Sequence, residues 1–201
     1  MRISGIYLAA GNSYRMGTNK LTLTLGNKEI GRWGLEKALD SNLDDIILIS
    51  QHQNRLDLSG LCTQKVMEVE VTKSNAGQSH SLKVGIEQAN ILHSDAVIIL
   101  LADQPFITTD MINQLIKIYK QKPTTSFVAS SFLDIIQPPI LLDNQLFSKI
   151  LDLTGDQGAK KILKEQMEQG ILLPFNDEQL FIDIDYMEEY LFWKKHVESN
   201  R

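Results

Sequence analysis

Short apolar runs alternate with longer amphipathic segments along the first part of the chain, up to Tyr119. Continuous apolar runs bounded by polar residues are typical of buried strands, and a repeat of three to four residues is typical of helices. This pattern predicts strands at Ile3–Leu8, Asp45–Ser50, Val66–Val71 and Ala96–Leu101, and helices at Glu29–Leu39, Gly77–Asn90 and Thr108–Tyr119. Such alternation indicates βαβ units. We therefore expect an α/β protein with a mostly parallel sheet.

The second half of the chain has a less regular pattern. It predicts strands at Phe127–Phe132, Gln137–Leu142 and Leu180–Ile184, and helices at Asp143–Leu151, Asp156–Met167 and Met187–Val197. Pro138 and Pro139 cannot donate ladder hydrogen bonds, so we expect an edge strand here, or a strand that begins at the prolines. The last helix has a wide apolar face, for which we predict a packing role. That face is formed by Tyr190, Leu191, Phe192 and Trp193.

Composition narrows the class of protein. At 201 residues, we expect one domain spanning residues 1–201. No apolar run approaches the roughly 20 residues that cross a bilayer, and the N-terminus lacks the layout of a signal peptide. Cys62 has no second cysteine to pair with. We therefore expect a cytoplasmic protein with no membrane partner. The net charge of −5 argues against a nucleic-acid partner.

A glycine-rich turn after the first predicted strand is the strongest candidate for a binding site. Leu8, Ala9, Ala10 and Gly11 permit a tight turn, whose successive N–H groups can surround an anion. Arg15 and Lys20 add two cations. These features predict a site for a nucleoside triphosphate. The dinucleotide motif G-x-G-x-x-G and the Walker motif are both absent, which disfavours a dinucleotide-dependent oxidoreductase.

The fourth strand ends in a carboxylate, Asp103, followed by Gln104 and Pro105. Ligands of open α/β sheets bind beyond the carboxyl ends of the strands. We therefore expect Asp103 near the glycine-rich turn, where it could hold Mg²⁺. The alternative is that Asp103 only forms a turn before the proline. Asp183 and Asp185 would share one face of a late strand. We favour Asp183 as the second metal contact, with Asp185 as the alternative. It is also possible to interpret one of these acids as nothing more than the N-cap of the following helix.

A polar segment before the second helix is a candidate nucleotide contact. Gly77 frees the backbone there, and Gln78, Ser79 and Ser81 supply donors and acceptors suited to a base or a ribose. The segment could also be an ordinary helix N-terminus, with Ser79 as its cap.

The motif L-A-A-G-x-S-x-R-M-G-x-x-K at residues 8–20 resembles the signature of the MobA-like nucleotidyltransferases. The resemblance implies a Rossmann-like, three-layer α/β/α fold. It also implies catalytic roles for Arg15, Lys20 and Asp103, with Asp103 on the Mg²⁺ of a bound triphosphate. Residues 8–11, together with Gly77, Gln78, Ser79 and Ser81, would then bind the nucleotide.

The segment A-D-Q-P at residues 102–105 is most similar to that of the molybdenum cofactor cytidylyltransferases. In these enzymes L-A-A-G accompanies cytidylyl transfer, whereas L-A-G-G accompanies guanylyl transfer, so Ala10 points to CTP. The segment L-T-G-D-Q-G-A-K at residues 153–160 is similar to the same group. The resemblance implies transfer of CMP from CTP to a molybdopterin-type acceptor, with a molybdenum hydroxylase such as xanthine dehydrogenase as the client.

Two departures from the pattern keep other functions open. The chain has Ile136-Gln137-Pro138-Pro139 where the family often has R-G-H-P, and Tyr186 follows the second acid where the family has threonine. One alternative is a nucleotidyltransferase with another acceptor, such as a sugar or polyol phosphate, or with GTP. The other is a non-catalytic chaperone of a molybdoenzyme.

Overall fold

A seven-stranded sheet forms the centre of the protein. The computed structural model describes residues 1–11, 16–52, 55–72, 77–152 and 159–199. The strands of the central sheet, in chain order, are β1 (Ile3–Leu8), β4 (Asp45–Gln51), β5 (Val66–Val71), β6 (Ala96–Leu101), β7 (Phe127–Phe132), β8 (Ile135–Asp143) and β9 (Gly170–Pro174). β2 (Thr24–Leu25) and β3 (Lys28–Glu29) pair with each other in a separate ribbon.

The spatial order of the central sheet is β5-β4-β1-β6-β8-β7-β9. β1 pairs in parallel with both β4 and β6, and β7 pairs in parallel with β9. β8 runs antiparallel to its neighbours β6 and β7. The prediction of a mostly parallel sheet is therefore confirmed.

Helices cover both faces of the sheet. They are α1 (Ile30–Leu39), α2 (Gly77–Ile91), α3 (Thr109–Gln121), α4 (Phe147–Leu151), α5 (Lys160–Glu165) and α6 (Met187–Ser199). α1, α3 and α6 share one buried cluster with Tyr7 of β1, whereas α2, α4 and α5 share the other with Ile6 and Leu8. Successive residues of one strand thus face opposite layers. This arrangement confirms the three-layer α/β/α prediction.

The N-terminal elements follow the predicted bounds closely. β1, β5 and β6 begin and end at the predicted residues, and α3 begins after Thr108, whose side chain accepts a hydrogen bond from the N–H of Met111 (3.2 Å). Within the described residues, no helix combines the length and apolar character needed to cross a membrane.

The predicted strand at Leu180–Ile184 is wrong. A 3₁₀ helix occupies Glu178–Phe181, because the Asp177 side chain accepts a hydrogen bond from the N–H of Gln179 (2.9 Å) and starts a helical turn. The last strand is β9, which the sequence pattern missed. β9 begins at Gly170 and ends at Pro174, and both residue types weaken a strand pattern.

The edge-strand interpretation of the two prolines is also wrong, since β8 lies inside the sheet between β6 and β7. Ala129 pairs with Ile140, but the next residue, Ser130, pairs with Gln137. The prolines therefore lie in an irregularity of the ladder, where their missing N–H groups break no regular pair. The pairing of β8 with β6 begins only at Ile140.

The last three predicted helices are shorter or less apolar than expected. Asp143 caps a 3₁₀ turn at Asn144–Leu146 that precedes α4, and residues 156–158 of the next predicted helix lie outside the described part.

In α6, Tyr190 is buried and Trp193 packs on Phe106 with ring centroids 4.8 Å apart. Phe192 is 55% exposed but its ring contacts that of Trp193 edge-on, with centroids 5.2 Å apart, so the predicted packing role is wrong only for Leu191, which is 56% exposed.

Candidate active site

The order of the strands places a topological switch point at the carboxyl ends of β1 and β6. From β1 the chain moves to β4 and β5 on one side, and then returns to β6 on the other side. Open α/β sheets bind ligands at such a switch point. The N–H of Ala9 donates to the carbonyl of Ile49 (2.8 Å), and the N–H of Ala102 donates to the carbonyl of Leu8 (3.1 Å). The residues after β1 and β6 are thereby held at one edge.

Lys20 connects three distant segments of the chain at this edge. It opens a 3₁₀ helix, Lys20–Thr22, that is capped by the side chain of Asn19. Its ammonium donates to Asp103 Oδ2 (2.7 Å), just beyond β6, and to Asp185 Oδ1 (2.6 Å), just before α6. Lys20 is only 6% exposed. The structure therefore brings together two of the three predicted catalytic residues, Lys20 and Asp103.

The surroundings of this cluster shift the pKa values of Lys20 and Asp183. Burial lowers the pKa of Lys20, but the carboxylates of Asp103 and Asp185 outweigh it, so the net change is upward. Lys20 is thus an ammonium at neutral pH. Asp183 is exposed as a residue, but its carboxyl group is largely surrounded by protein atoms. Loss of solvent, followed by repulsion from Asp103, raises its pKa to about 6, against the opposing effects of Gln104 and Lys20.

The two candidate metal contacts near the C-terminus lie in an extended loop. The expectation that Asp183 and Asp185 share one face of a strand is therefore wrong, because this segment forms no strand. The N–H of Ile184 between them donates to the carbonyl of Asp103 (3.1 Å), which anchors the loop beside β6. The start of α6 is capped by Glu189, whose Oε2 accepts from the N–H groups of Asp185 (2.8 Å) and Tyr186 (3.0 Å).

Gln104 is an unusual residue beside this cluster. It is fully buried, and neither its side-chain oxygen nor its nitrogen has a hydrogen-bond partner of normal geometry. Its amide nevertheless lies close enough to Asp183 to lower the pKa of that carboxyl group. Burial of an amide without well-formed hydrogen bonds is costly, and the contact with Asp183 offsets part of that cost.

The glycine-rich turn is described only in part. Leu8, Ala9 and Ala10 are buried, and a Cβ added at Gly11 would meet no atom within 4 Å. Arg15 and Ser13 lie outside the described residues. Gln51, at the end of β4, donates from Nε2 to the carbonyl oxygen of Ala10 (2.6 Å). The sequence analysis missed Gln51, since only the parallel pairing of β4 with β1 brings it to the turn.

The predicted nucleotide contacts of the polar segment lie at the start of α2. This helix begins at Gly77, so Ser79 belongs to its first turn. Ser79 and Ser81 are each 7% exposed. The side chain of Gln78 and residues 153–158 lie outside the described part.

The donor atoms of the cluster suit a hard divalent cation. Among the described residues, no group of three histidine, cysteine or acidic side chains is placed to hold a metal by itself. Mg²⁺ commonly uses one or two carboxylates and takes its other ligands from substrate phosphates and water. Asp103 with either Asp183 or Asp185 fits that requirement.

Comparison with known proteins identifies the family of this chain. Residues 5–170 match the MobA-like NTP transferase domain. The chain is 37% identical over 194 residues to the purine catabolism protein PucB of Bacillus subtilis (strain 168), covering 92% of this chain and 93% of that protein. The match at residues 5–170 includes most of β1, Lys20 and Asp103, but not the acidic loop at residues 183–185.

Two solved structures show the same fold. One is Rv0371c from Mycobacterium tuberculosis H37Rv in complex with manganese (20% identity, TM-score 0.76, 97% of this chain and 99% of that one). The other is a nucleotidyl transferase, Mth528, from Methanothermobacter thermautotroptrophicus (18% identity, TM-score 0.81, 100% and 99%). The family match covers most of the chain, and the strand order has the switch point at which such sheets bind ligands, so this chain belongs to the MobA-like nucleotidyltransferases.

Proposed function

We propose that this protein transfers CMP from CTP to a molybdopterin-type acceptor, in a Mg²⁺-dependent reaction that releases pyrophosphate. The observation that carries the proposal is the position of Lys20, held by Asp103 and Asp185 at the carboxyl edge where the glycine-rich turn begins. A buried ammonium suits the phosphate groups of a triphosphate, and the carboxylates beside it suit the metal ion that accompanies the nucleotide.

The reaction is a substitution at the α-phosphorus of the nucleotide. A terminal phosphate oxygen of the acceptor forms the new P–O bond, and the bond from the α-phosphorus to the bridging oxygen breaks, so pyrophosphate leaves with that oxygen. The acceptor is already an anionic nucleophile, so no histidine base is required. Such chemistry depends mainly on positioning and on compensation of negative charge.

Residues of this chain would divide those tasks between them. The N–H groups of the glycine-rich turn, with Arg15 and Lys20, would stabilise the triphosphate and the departing pyrophosphate. Asp103, with Asp183 or Asp185, would hold Mg²⁺, which when bound supplies charge compensation to the phosphate oxygens. Gln78, Ser79 and Ser81 at the start of α2, near Gly77, would position the base and ribose.

Support for CTP and for the acceptor comes from the sequence motifs and from one relative. Ala10 and the A-D-Q-P segment are the residues that resemble cytidylyltransferases. The name of PucB assigns that protein to purine catabolism. This assignment is consistent with a client that hydroxylates a purine, namely a molybdenum hydroxylase in the cytoplasm.

A different acceptor is the second candidate. The family's R-G-H-P motif would fall at residues 136–139, which lie in the irregular part of β8 and carry neither arginine nor histidine. A sugar phosphate or a polyol phosphate would use the same nucleotide site with other acceptor contacts.

Pyrophosphate release separates these functions. The purified protein is incubated with Mg²⁺ and each of CTP, GTP, ATP and UTP, with molybdenum-loaded molybdopterin or with a sugar or polyol phosphate. We expect release only with CTP and the molybdopterin acceptor. Release with GTP, or with another acceptor, would contradict the corresponding part of the proposal. Nucleotide binding without any release would favour the non-catalytic chaperone.

A further inference from the structure

We propose that Lys20 is a displaceable placeholder for the divalent metal: in the nucleotide-free protein its ammonium occupies the position between Asp103 and Asp185, and metal binds there only when Lys20 moves away. This inference rests on the proposed function for the presence of a metal at these carboxylates. It goes further because it assigns two alternating positions to one side chain.

The geometry requires the two cations to exclude each other. The Lys20 nitrogen lies 2.7 Å from Asp103 Oδ2 and 2.6 Å from Asp185 Oδ1, so the two oxygens point at one position. A Mg²⁺ or Mn²⁺ ion bound to the same pair of oxygens would fall within a few ångströms of that nitrogen. Two cations at such a distance repel strongly away from bulk water.

Charge balance explains why Lys20 stays at this position without a ligand. Asp103 and Asp185 are two carboxylates directed at one position, and the Lys20 ammonium forms an ion pair with both of them. The Lys20 side chain is 8% exposed, whereas those of Asp103 and Asp185 are 25% and 38% exposed. The carboxylates can therefore be reached from solvent by an incoming metal, while the ammonium lies beneath them.

Nucleotide binding would give the displaced ammonium a new partner. Among the described residues just before Lys20, Gly17 has a left-handed φ of +66°. A triphosphate at the turn would place its oxygens within reach of a side chain that leaves the carboxylates. Metal and nucleotide would then bind cooperatively, because each stabilises the arrangement that the other needs.

Metal binding in the absence of nucleotide tests the placeholder. Mn²⁺ is titrated into the wild-type protein and into Lys20→Met by isothermal calorimetry, with thermal melts to confirm that both are folded. We expect Lys20→Met to bind Mn²⁺ roughly tenfold or more tightly than the wild type, since the competing charge is gone. Equal or weaker binding by the folded variant would overturn the proposal.

Two controls define the effect. Lys28→Met removes a lysine that is paired with Glu36 and stacked over Trp33, away from the cluster, and should leave Mn²⁺ affinity unchanged. Adding Asp103→Asn to Lys20→Met should abolish the gain. A gain that persists in the double variant would place the metal elsewhere and would overturn the proposal.

A measurement on the unaltered protein covers the case in which Lys20→Met does not fold. The side-chain ¹⁵N signal of Lys20, identified through Lys20→Arg, should shift when Mg²⁺ saturates the protein, whereas that of Lys28 should not. An unchanged Lys20 signal at saturation would contradict displacement. None of these experiments contains CTP or acceptor, so failure of the cytidylyl-transfer assay leaves the placeholder standing, and failure of the placeholder leaves that assay unaffected.

Discussion

The backbone N–H of Ile184 donates a hydrogen bond to the carbonyl oxygen of Asp103 (3.1 Å), so the loop before α6 is joined directly to the end of β6. This contact places Asp183 and Asp185 on either side of a fixed point beside the candidate metal ligand. The carboxylates then differ in their partners: Asp185 pairs with Lys20, whereas Asp183 lies beside Gln104.

Loss of Lys20 or of Asp103 should remove most of the catalytic activity. We expect Lys20→Ala and Asp103→Ala each to lower kcat by roughly 10²-fold or more, the scale for one preorganised electrostatic group. Steady-state pyrophosphate release with CTP, Mg²⁺ and acceptor measures the change. Lys28→Ala is the matched control and should retain activity. Full activity of both site variants would refute the assignment.

Substitution of Asp183 should stabilise the metal-free protein above neutral pH. Its pKa of about 6 in the folded protein exceeds the ordinary value of 3.8. Ionisation of Asp183 therefore lowers the free energy of unfolding above pH 6, and this loss disappears as the pH falls from 6 towards 3.8. We expect Asp183→Asn to gain about 1 kcal/mol at pH 8, an amount reduced for the exposure of the side chain. Urea unfolding at pH 8 and pH 4 measures the difference, and a gain that is equal at both values would contradict it.

Asp185 should respond in the opposite way. Asp185→Asn removes one partner of a buried ammonium, so we expect a loss of about 1–2 kcal/mol in the metal-free protein at pH 8. The same urea experiment measures it, with Asp177→Asn as an exposed control outside the cluster. If Asp185→Asn and Asp183→Asn behaved alike, the two carboxylates would not have the distinct environments described above.

Gln51 should affect nucleotide binding more than the chemical step. Its hydrogen bond fixes the Ala10 carbonyl at the start of the glycine-rich turn, and a typical hydrogen bond contributes about 1 kcal/mol. Gln51→Ala should therefore raise KM for CTP by roughly fivefold with a smaller change in kcat. Gln114→Ala, which removes an exposed contact to Asp110 within α3, should leave both constants unchanged. A fall in kcat alone would argue against this role.

Gly85 should be required for the packing of α2 on β1. A Cβ at this position would lie 2.5 Å from Cγ2 of Ile6, a β-branched residue inside the core. Gly85→Ala should therefore lower the free energy of unfolding by about 1–3 kcal/mol, although alanine favours helices. Glu87→Ala on the exposed side of the same helix is the control. Thermal unfolding of both variants measures the effect. A more stable Gly85→Ala variant would show that Ile6 can shift to make room for the added methyl group.

The sequence was sufficient wherever local pattern and global packing agree. β1, β6 and α3 carry long apolar runs or a clear cap, and their bounds were predicted to within two residues. The strand predicted at Leu180–Ile184 was wrong, because the alternation of apolar and polar residues resembles a strand, whereas Asp177 starts a helical turn there. The contacts of Lys20 with Asp185, and of Gln51 with Ala10, join residues far apart in the chain, so only the assembled sheet reveals them.

The contacts of Lys20 with two distant carboxylates also determine when the site can assemble during synthesis of the chain. Its two carboxylate partners lie 83 and 165 positions later in the sequence, and Tyr190, which donates to the carbonyl of Thr24, is 166 positions after that residue. During synthesis, the segment that contains Lys20 leaves the ribosome long before α6 does. A nascent chain therefore carries Lys20 without the two acids that restrain it, and this cluster takes its final form only late in translation.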